Sequence, residues 1–369
     1  MSNFKVEFTL KQHTPIIHFQ SDQSGATLRA SELKPKFDKF LKKYAFNDKI
    51  PKEYKISDAN DALDYTVKIA ASKLYDTYQY KTYISKRDRE NPQIKMGSYF
   101  GDNKAIQTDK ITITIMSINN IKIIEYIKKY FIDFIIIENF GSRQNKGFGS
   151  FTVIKIDNKE LNYNVEDILL NYYQIIYTMT HKNPLQKIQQ DYQLLKSGSS
   201  NPQYKKSLLF NYMCNNKIRW EKRMIKEYMK KDYPSVFKTL KYEKQPTKCN
   251  NEENFQYEYV RGLLGITEQI EFLKLNARNF KDKIKINIKS VDNNIKRFKS
   301  PITFKVIGNN IYVLASNHIP VKGKEFTFLI KGEHGILNKS IKIPENFDIF
   351  KFLNNALPQL KYKILKAQK

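Results

Sequence analysis

Cysteine is nearly absent: Cys214 and Cys249 are the only two in 369 residues. Two thiols cannot complete a four-ligand zinc site, they show no Cys-x-x-Cys spacing, and no histidine neighbours Cys214. That sets aside zinc-ribbon, thioredoxin-type and cysteine-nucleophile chemistry, and a reduced, cytoplasmic setting is expected. Long apolar runs are missing as well. Stretches such as Ile135-Ile136-Ile137 are far too short to cross a bilayer, and Met1-Ser2-Asn3-Phe4-Lys5-Val6-Glu7 has no leader pattern, so no membrane segment is expected. No Gly-Lys-Ser/Thr closes a nucleotide P-loop, no His-Glu-x-x-His occurs, and the carboxylates form no paired pattern separable from surface charge. Neither a metal nor a cofactor is expected.

Acidic charge is also short. Against 64 Lys and Arg stand 37 Asp and Glu, a formal net charge of +27. An adenine/thymine-rich genome would enrich Lys, Asn, Ile, Tyr and Phe, but it favours Asp and Glu codons too, so it does not account for the imbalance. An acidic partner does. Nucleic acid is the commonest, held through counterion release with little sequence preference. An anionic membrane surface is the rival, but the chain has no isolated amphipathic basic helix and no acylation signal. A hydrophobic fraction of 41% fits a folded protein, and the length suits two domains, each with its own core.

In chain order, Phe4, Val6, Phe8 and Leu10 alternate with polar residues and predict a first strand. Ser31 reads as an N-cap with Pro35 in the first turn, and Leu33, Phe37, Phe40 and Leu41 predict a helix over Glu32–Lys43. A strand over Asp64–Ala71 follows. The stretch Tyr75–Arg89 then interleaves four tyrosines with basic residues, either as a stacking platform for single-stranded nucleic acid or as a solvated insertion. Lys110–Met116 alternates cleanly as a strand, and Ile121, Ile124, Ile127, Phe131, Phe134 and Ile135 predict a helix, preferred over a strand for the β-branched Asp133–Glu138, with Gly141 near its C-terminal end.

Glycine is scarce, at 13, yet three fall within nine positions of Phe140-Gly141-Ser142-Arg143-Gln144-Asn145-Lys146-Gly147-Phe148-Gly149-Ser150, ahead of the strand-like Phe151–Ile156. Glycine permits positive φ and close approach, so successive amides can surround an anionic oxygen while Arg143 and Lys146 add full charges. The same residues equally make a glycine-rich turn with two solvated cations that feeds a strand. The order so far, strand, helix, strand, strand, helix, loop, strand, is the βαββαβ order of a ferredoxin-like domain closing near Asp157.

Beyond it, Lys196–Pro202 reads as a linker, Ser207–Lys231 as one basic helix holding Trp220, and Pro301–Ser316 as a hairpin turning at Gly308-Asn309-Asn310. Glu325–Lys331 is expected as a strand, Asn346–Leu353 as a short helix and Lys361–Leu365 as a last strand.

The helix that ends in Phe140–Ser150 resembles the glycine-rich signature of the RAMP superfamily of CRISPR-associated RNA-binding proteins. Phe8–His18, with its Thr14-Pro15, and Leu28-Arg29-Ala30-Ser31-Glu32-Leu33-Lys34 are similar to the start of that family's type III-B (Cmr-type) subunit one. The helix start there usually reads Ser-Ile-Arg-Gly, where this chain has Ser31-Glu32-Leu33-Lys34. Tyr259–Gly265 and Arg297–Lys305 resemble further short segments, in which a Ser-Pro pair opens a strand of a second ferredoxin-like unit. The resemblance implies an α+β fold of two ferredoxin-like (RRM-like) units: residues 1–160 with the glycine-rich loop, and residues 161–369 as a helical segment plus a second, divergent unit.

It further implies a non-catalytic RNA-binding subunit of a type III effector in antiviral defence, whose partners are CRISPR guide RNA and other effector subunits, with target RNA left open. On that reading Gly141, Gly147 and Gly149 allow close approach, Ser142 and Phe148 belong to the same contact surface, and Arg143 and Lys146 meet phosphates. Arg29 and Lys34 contribute from the first helix. The alternative is a metal-independent endoribonuclease acting on repeat RNA, which needs a general acid or base near the scissile phosphate. His13 and His18 flank the end of the first strand and Asp22 lies in the loop after it, but a histidine at a strand end is commonly structural and a loop Asp commonly forms a turn.

Overall fold

The apolar alternation at the start of the chain becomes β1 (Lys5–Gln12), which turns Val6, Phe8 and Leu10 into the core and its intervening residues to the other face. The computed structural model describes residues 4–17, 27–72, 74–81, 87–91, 93–96, 103–199, 205–232, 234–238, 255–267, 269–273, 283–292, 294–295, 298–332 and 335–365. After Pro15 comes a two-residue strand, β2 (Ile16–Ile17), and then α1 (Ala30–Tyr44), whose Leu33, Phe37, Phe40 and Leu41 are buried. The helix starts earlier than expected. Its N-cap is Arg29, with no side-chain cap, so Ser31 lies inside the first turn and Pro35 beyond it. Burial of Leu28 and Leu33 on either side of Arg29, worth about 1.5–3 kcal/mol each, outweighs the roughly 1 kcal/mol that a serine cap would add.

β3 (Thr66–Ala71), β4 (Leu74–Lys81), β5 (Ile94–Met96), β6 (Asn103–Thr108) and β7 (Ile111–Met116) follow, then α2 (Ile121–Ile137), β8 (Phe151–Ile156) and β9 (Lys159–Glu160). β3, β7, β1, β8 and β9 form one sheet in that order. Its register sets Phe8 opposite Ile113 and Ile69 also opposite Ile113, so the inward residues of neighbouring strands line one face. α1 and α2 cover that face: Phe131 stacks on Phe8 at 4.1 Å, and Phe37 meets Phe131 at 5.2 Å and Phe134 at 4.8 Å. β2, β6, β4 and β5 make a second, separate sheet. Tyr75, Tyr78 and Tyr80 of the aromatic-basic stretch lie on β4, and Tyr83 falls outside the described residues.

The chain continues through α3 (Val165–Tyr172), β10 (Ile176–Thr180) and α4 (Pro184–Lys196). The single basic helix expected over Ser207–Lys231 is instead α5 (Leu208–Asn215), β11 (Ile218–Trp220) and α6 (Glu221–Asp232). Asn215 and Asn216 are poor helix formers, Lys217 takes φ +62°, and pairing of β11 with a later strand replaces the helical bonds forgone. α7 (Pro234–Lys238), β12 (Gln256–Glu258), β13 (Gln269–Leu273) and β14 (Lys283–Ser290) precede the hairpin of β15 (Ile302–Ile307) and β16 (Asn310–Ala315), which turns at Gly308 as its sequence predicts. β17 (Glu325–Gly332), β18 (Gly335–Lys342), α8 (Ile349–Gln359) and β19 (Lys363–Ile364) complete the described chain. α8 begins later than the helix expected over Asn346–Leu353, because the Asp348 carboxylate accepts from the amides of Phe350 and Lys351, and it runs on to Gln359.

The fold is mixed α/β with several antiparallel sheets, in two compact units. One comprises Met1–Ile188, Thr303–Leu314 and Ile364–Lys369; the other comprises Gln189–Ile302 and Ala315–Lys363. β13, β14, β17 and β18 form an antiparallel sheet in the second unit, whereas β15, β16, β10 and β19 form a sheet in that order. In the β3-β7-β1-β8 and β15-β16-β10-β19 sheets alike, the spatial order of the four strands is second, third, first, fourth in sequence.

Candidate nucleic-acid interface

The glycine-rich stretch begins where α2 ends, and a lysine rather than a glycine ends the helix. The Lys305 ammonium on β15 donates to the carbonyls of Ile135 (2.8 Å) and Glu138 (2.7 Å), the acceptors that a helix C-terminus leaves open. Lys305 is fully buried, and desolvation pulls its pKa down to about 7. Beyond Glu138 the loop is held on both sides. Asn139 donates to the Gln144 and Phe304 carbonyls (2.7 and 2.8 Å), Phe304 N–H donates to Asn145 O (3.0 Å), and Ser150 Oγ donates to Val306 O (2.6 Å).

Four loop residues take positive φ: Gly141 (+78°), Arg143 (+56°), Gly147 (+82°) and Gly149 (+65°). A Cβ at Gly141 would stand 2.7 Å from both Ile16 Cγ1 and Ile17 O, and one at Gly147 would stand 2.9 Å from Ile188 Cδ1 and 3.0 Å from Val306 Cγ2. At Gly149 it would overlap the Phe140 carbonyl. The close approach that glycine permits here is to the protein's own chain. The amides follow suit: Ser142 N–H donates to Ile17 O (2.6 Å), Lys146 N–H to Arg143 O (2.7 Å), Gly147 N–H to Gln144 O (3.3 Å), Gly149 N–H to Pro15 O (2.9 Å) and Ser150 N–H to Thr14 Oγ1 (3.0 Å). Phe148 is buried with Ile17 and Ala105. One loop amide meets an anion, that of Gly141, which donates to both oxygens of Glu32 (2.9 and 3.1 Å).

Charge at the loop comes from Arg143, Lys146 and Lys36. Burial, with the Arg143 charge nearby, lowers the Lys146 pKa to about 8. Lys36 reaches the loop from α1, donating to Asn139 O (2.8 Å) and Gln144 Oε1 (2.7 Å), pairing with Glu32 (3.0 Å) and lying 4.8 Å from the centre of the Phe140 ring. The structure sends Lys34 elsewhere. Its ammonium binds Asp38 (2.8 Å) and Leu63 O (2.9 Å) and lies 4.3 Å from the centre of the Tyr65 ring. Arg29 sits at the N-cap of α1. Thr14, Glu32, Lys36 and Lys305 were not legible as loop residues; the one local trace was the i, i+4 spacing of Glu32 and Lys36, which puts them on one helix face.

His13 hangs its imidazole between β8 and the hairpin turn. Gly308 N–H donates to Nδ1 (3.1 Å), which leaves the proton on Nε2 to be donated to Thr152 Oγ1 (2.8 Å). Desolvation, then the charges of Lys305 and Lys11, lower its pKa to about 4, so the ring is neutral with both nitrogens engaged. His18 and Asp22 lie outside the described residues. Among the described residues no three His, Cys, Asp or Glu side chains converge to hold a metal, and no helix is long and apolar enough to cross a membrane.

No curated protein matches this chain. Two family models do: the Cmr1 N-terminal domain over residues 3–199 and the Cmr1 C-terminal domain over residues 204–368. They follow one another in the order their names require, and the first alone covers more than half of the sequence, glycine-rich loop included. The chain therefore belongs to the Cmr1 family, a subunit of type III-B CRISPR complexes.

Proposed function

We propose that this protein is a non-catalytic RNA-binding subunit of its complex and holds the guide RNA by its sugar–phosphate backbone, leaving sequence discrimination to base pairing by the guide. The observation that carries the reading is the meeting of Arg143, Lys146 and Lys36 at one loop, in a chain of net charge +27. The loop is fixed by internal hydrogen bonds, so its cations are positioned before RNA arrives, which lowers the ordering cost of binding. The glycines serve this indirectly, by letting the loop lie flat on its neighbours. We further read both sheets with second-third-first-fourth order as ferredoxin-like units of the RAMP type, one within residues 1–160 and a divergent one within residues 161–369; the shared strand order supports that reading.

The test is charge reversal of Arg143 and Lys146 together, measured as affinity for single-stranded repeat RNA across a salt series. The double variant is expected to bind at least tenfold more weakly, with a log–log salt slope shallower by about 1.4, that is about 0.7 per lost phosphate contact. Unchanged affinity at low and high salt would remove the loop from the site. The endoribonuclease alternative finds less support at His13, whose ring nitrogens are both engaged. Repeat RNA incubated with the protein and a chelator should stay intact.

A further inference from the structure

We propose that the Gly141 amide and the Lys36 ammonium form an anion site that Glu32 fills in the RNA-free protein, and that a backbone phosphate of bound RNA displaces the Glu32 carboxylate from it. The inference rests on the RNA-binding reading above and adds a resident competitor to it. The donors are held independently of Glu32: Lys36 is fixed by Asn139 O and Gln144 Oε1, and the Gly141 amide by the packing of its α-carbon against Ile16 and Ile17. Glu32 Oε1 receives both donors, Gly141 N–H at 2.9 Å and Lys36 Nζ at 3.0 Å. One amide N–H beside one ammonium is the donor pair that a phosphate oxygen takes.

The site is open enough for exchange, since the side chains of Lys36 and Glu32 are 24% and 25% exposed. The displaced carboxylate is not stranded. Glu32 lies in the first turn of α1, where the helix dipole favours a negative charge even after it swings away. The resident anion sets a threshold: a polyanion that also engages Arg143 and Lys146 displaces Glu32, and a lone small anion does not.

The experiment measures binding of a fluorescent single-stranded repeat RNA to the full chain and to Glu32→Gln, which keeps an acceptor for Gly141 but removes the charge. An ion pair this exposed shifts an equilibrium by up to about fivefold, so Glu32→Gln is expected to bind RNA about three- to fivefold more tightly, with a salt slope steeper by about 0.7. Lys36→Met added to Glu32→Gln should cancel the gain. Equal or weaker binding by Glu32→Gln, while charge reversal at Arg143 and Lys146 still weakens it, overturns this inference and leaves the RNA-binding reading standing. No effect of that charge reversal defeats both. Loss of wild-type RNA binding to millimolar inorganic phosphate would assign the site to free phosphate and overturn the proposal.

Discussion

Gly149→Ala separates glycine used for packing from glycine used to admit a ligand, with Gly308→Ala as its control. Both positions take positive φ, +65° and +60°, so alanine in either incurs the left-handed penalty of about 1–2 kcal/mol. At Gly308 nothing lies within 4 Å of the new Cβ, so the cost stops there. At Gly149 the Cβ meets the Phe140 carbonyl carbon at 2.8 Å and its amide nitrogen at 3.0 Å. The Phe140 backbone cannot yield cheaply, because Phe140 N–H donates to Gly149 O at 3.0 Å and Gly149 N–H to Pro15 O at 2.9 Å. Breaking those two buried bonds adds about 1–3 kcal/mol each. Gly149→Ala is therefore expected to cost about 3–8 kcal/mol, and Gly308→Ala about 1–2. Urea unfolding followed by fluorescence reads the difference as a shift in midpoint at constant slope. If the two variants lose the same stability to within about 0.5 kcal/mol, while Gly149→Ala alone loses RNA affinity, the loop glycine makes room for the ligand and the packing argument fails.

Two pH dependences follow from the groups beside the loop. Lys146, with a pKa near 8, is charged below that value and loses its proton above it; a phosphate contact favours the charged form, so RNA affinity should fall by up to about tenfold per pH unit above 8. Lys146→Met should flatten that decline, and an unchanged profile would place Lys146 outside the contact. His13 binds its proton at about 4 in the folded chain and at 6.5 when unfolded, so its contribution to stability is present above pH 6.5 and is lost as pH falls toward 4. Between pH 7 and 5 that loss amounts to about 2 kcal/mol, and His13→Gln, compared by urea titration at both pH values, should lose correspondingly less.

Much of the secondary structure was legible in the sequence because it rests on local spacing. The alternation around Phe8, the threes and fours of Ile124, Ile127 and Phe131, and the turn at Gly308 became β1, α2 and the β15–β16 hairpin. The charge imbalance and the Phe140–Ser150 signature likewise needed no coordinates. Less legible were positions where a local signal competed with distant burial, such as the Ser31 cap and the interrupted helix after Asn215.

The site was legible as a stretch and not as an arrangement. Lys34 and Lys36 are equivalent in the sequence, yet two helical positions turn them about 200° apart, so one serves Asp38 and the other serves the loop. Asn139 meets Phe304 across 165 positions and Lys305 meets Ile135 across 170, pairings that no local pattern announces. Composition and period alone determined β1, β3, β7, α1, α2, the β15–β16 hairpin and the basic character of this protein. Only the tertiary structure decided that the glycines pack against its own chain and that Glu32 accepts from the Gly141 amide, because those outcomes depend on which buried surfaces from distant segments fit together.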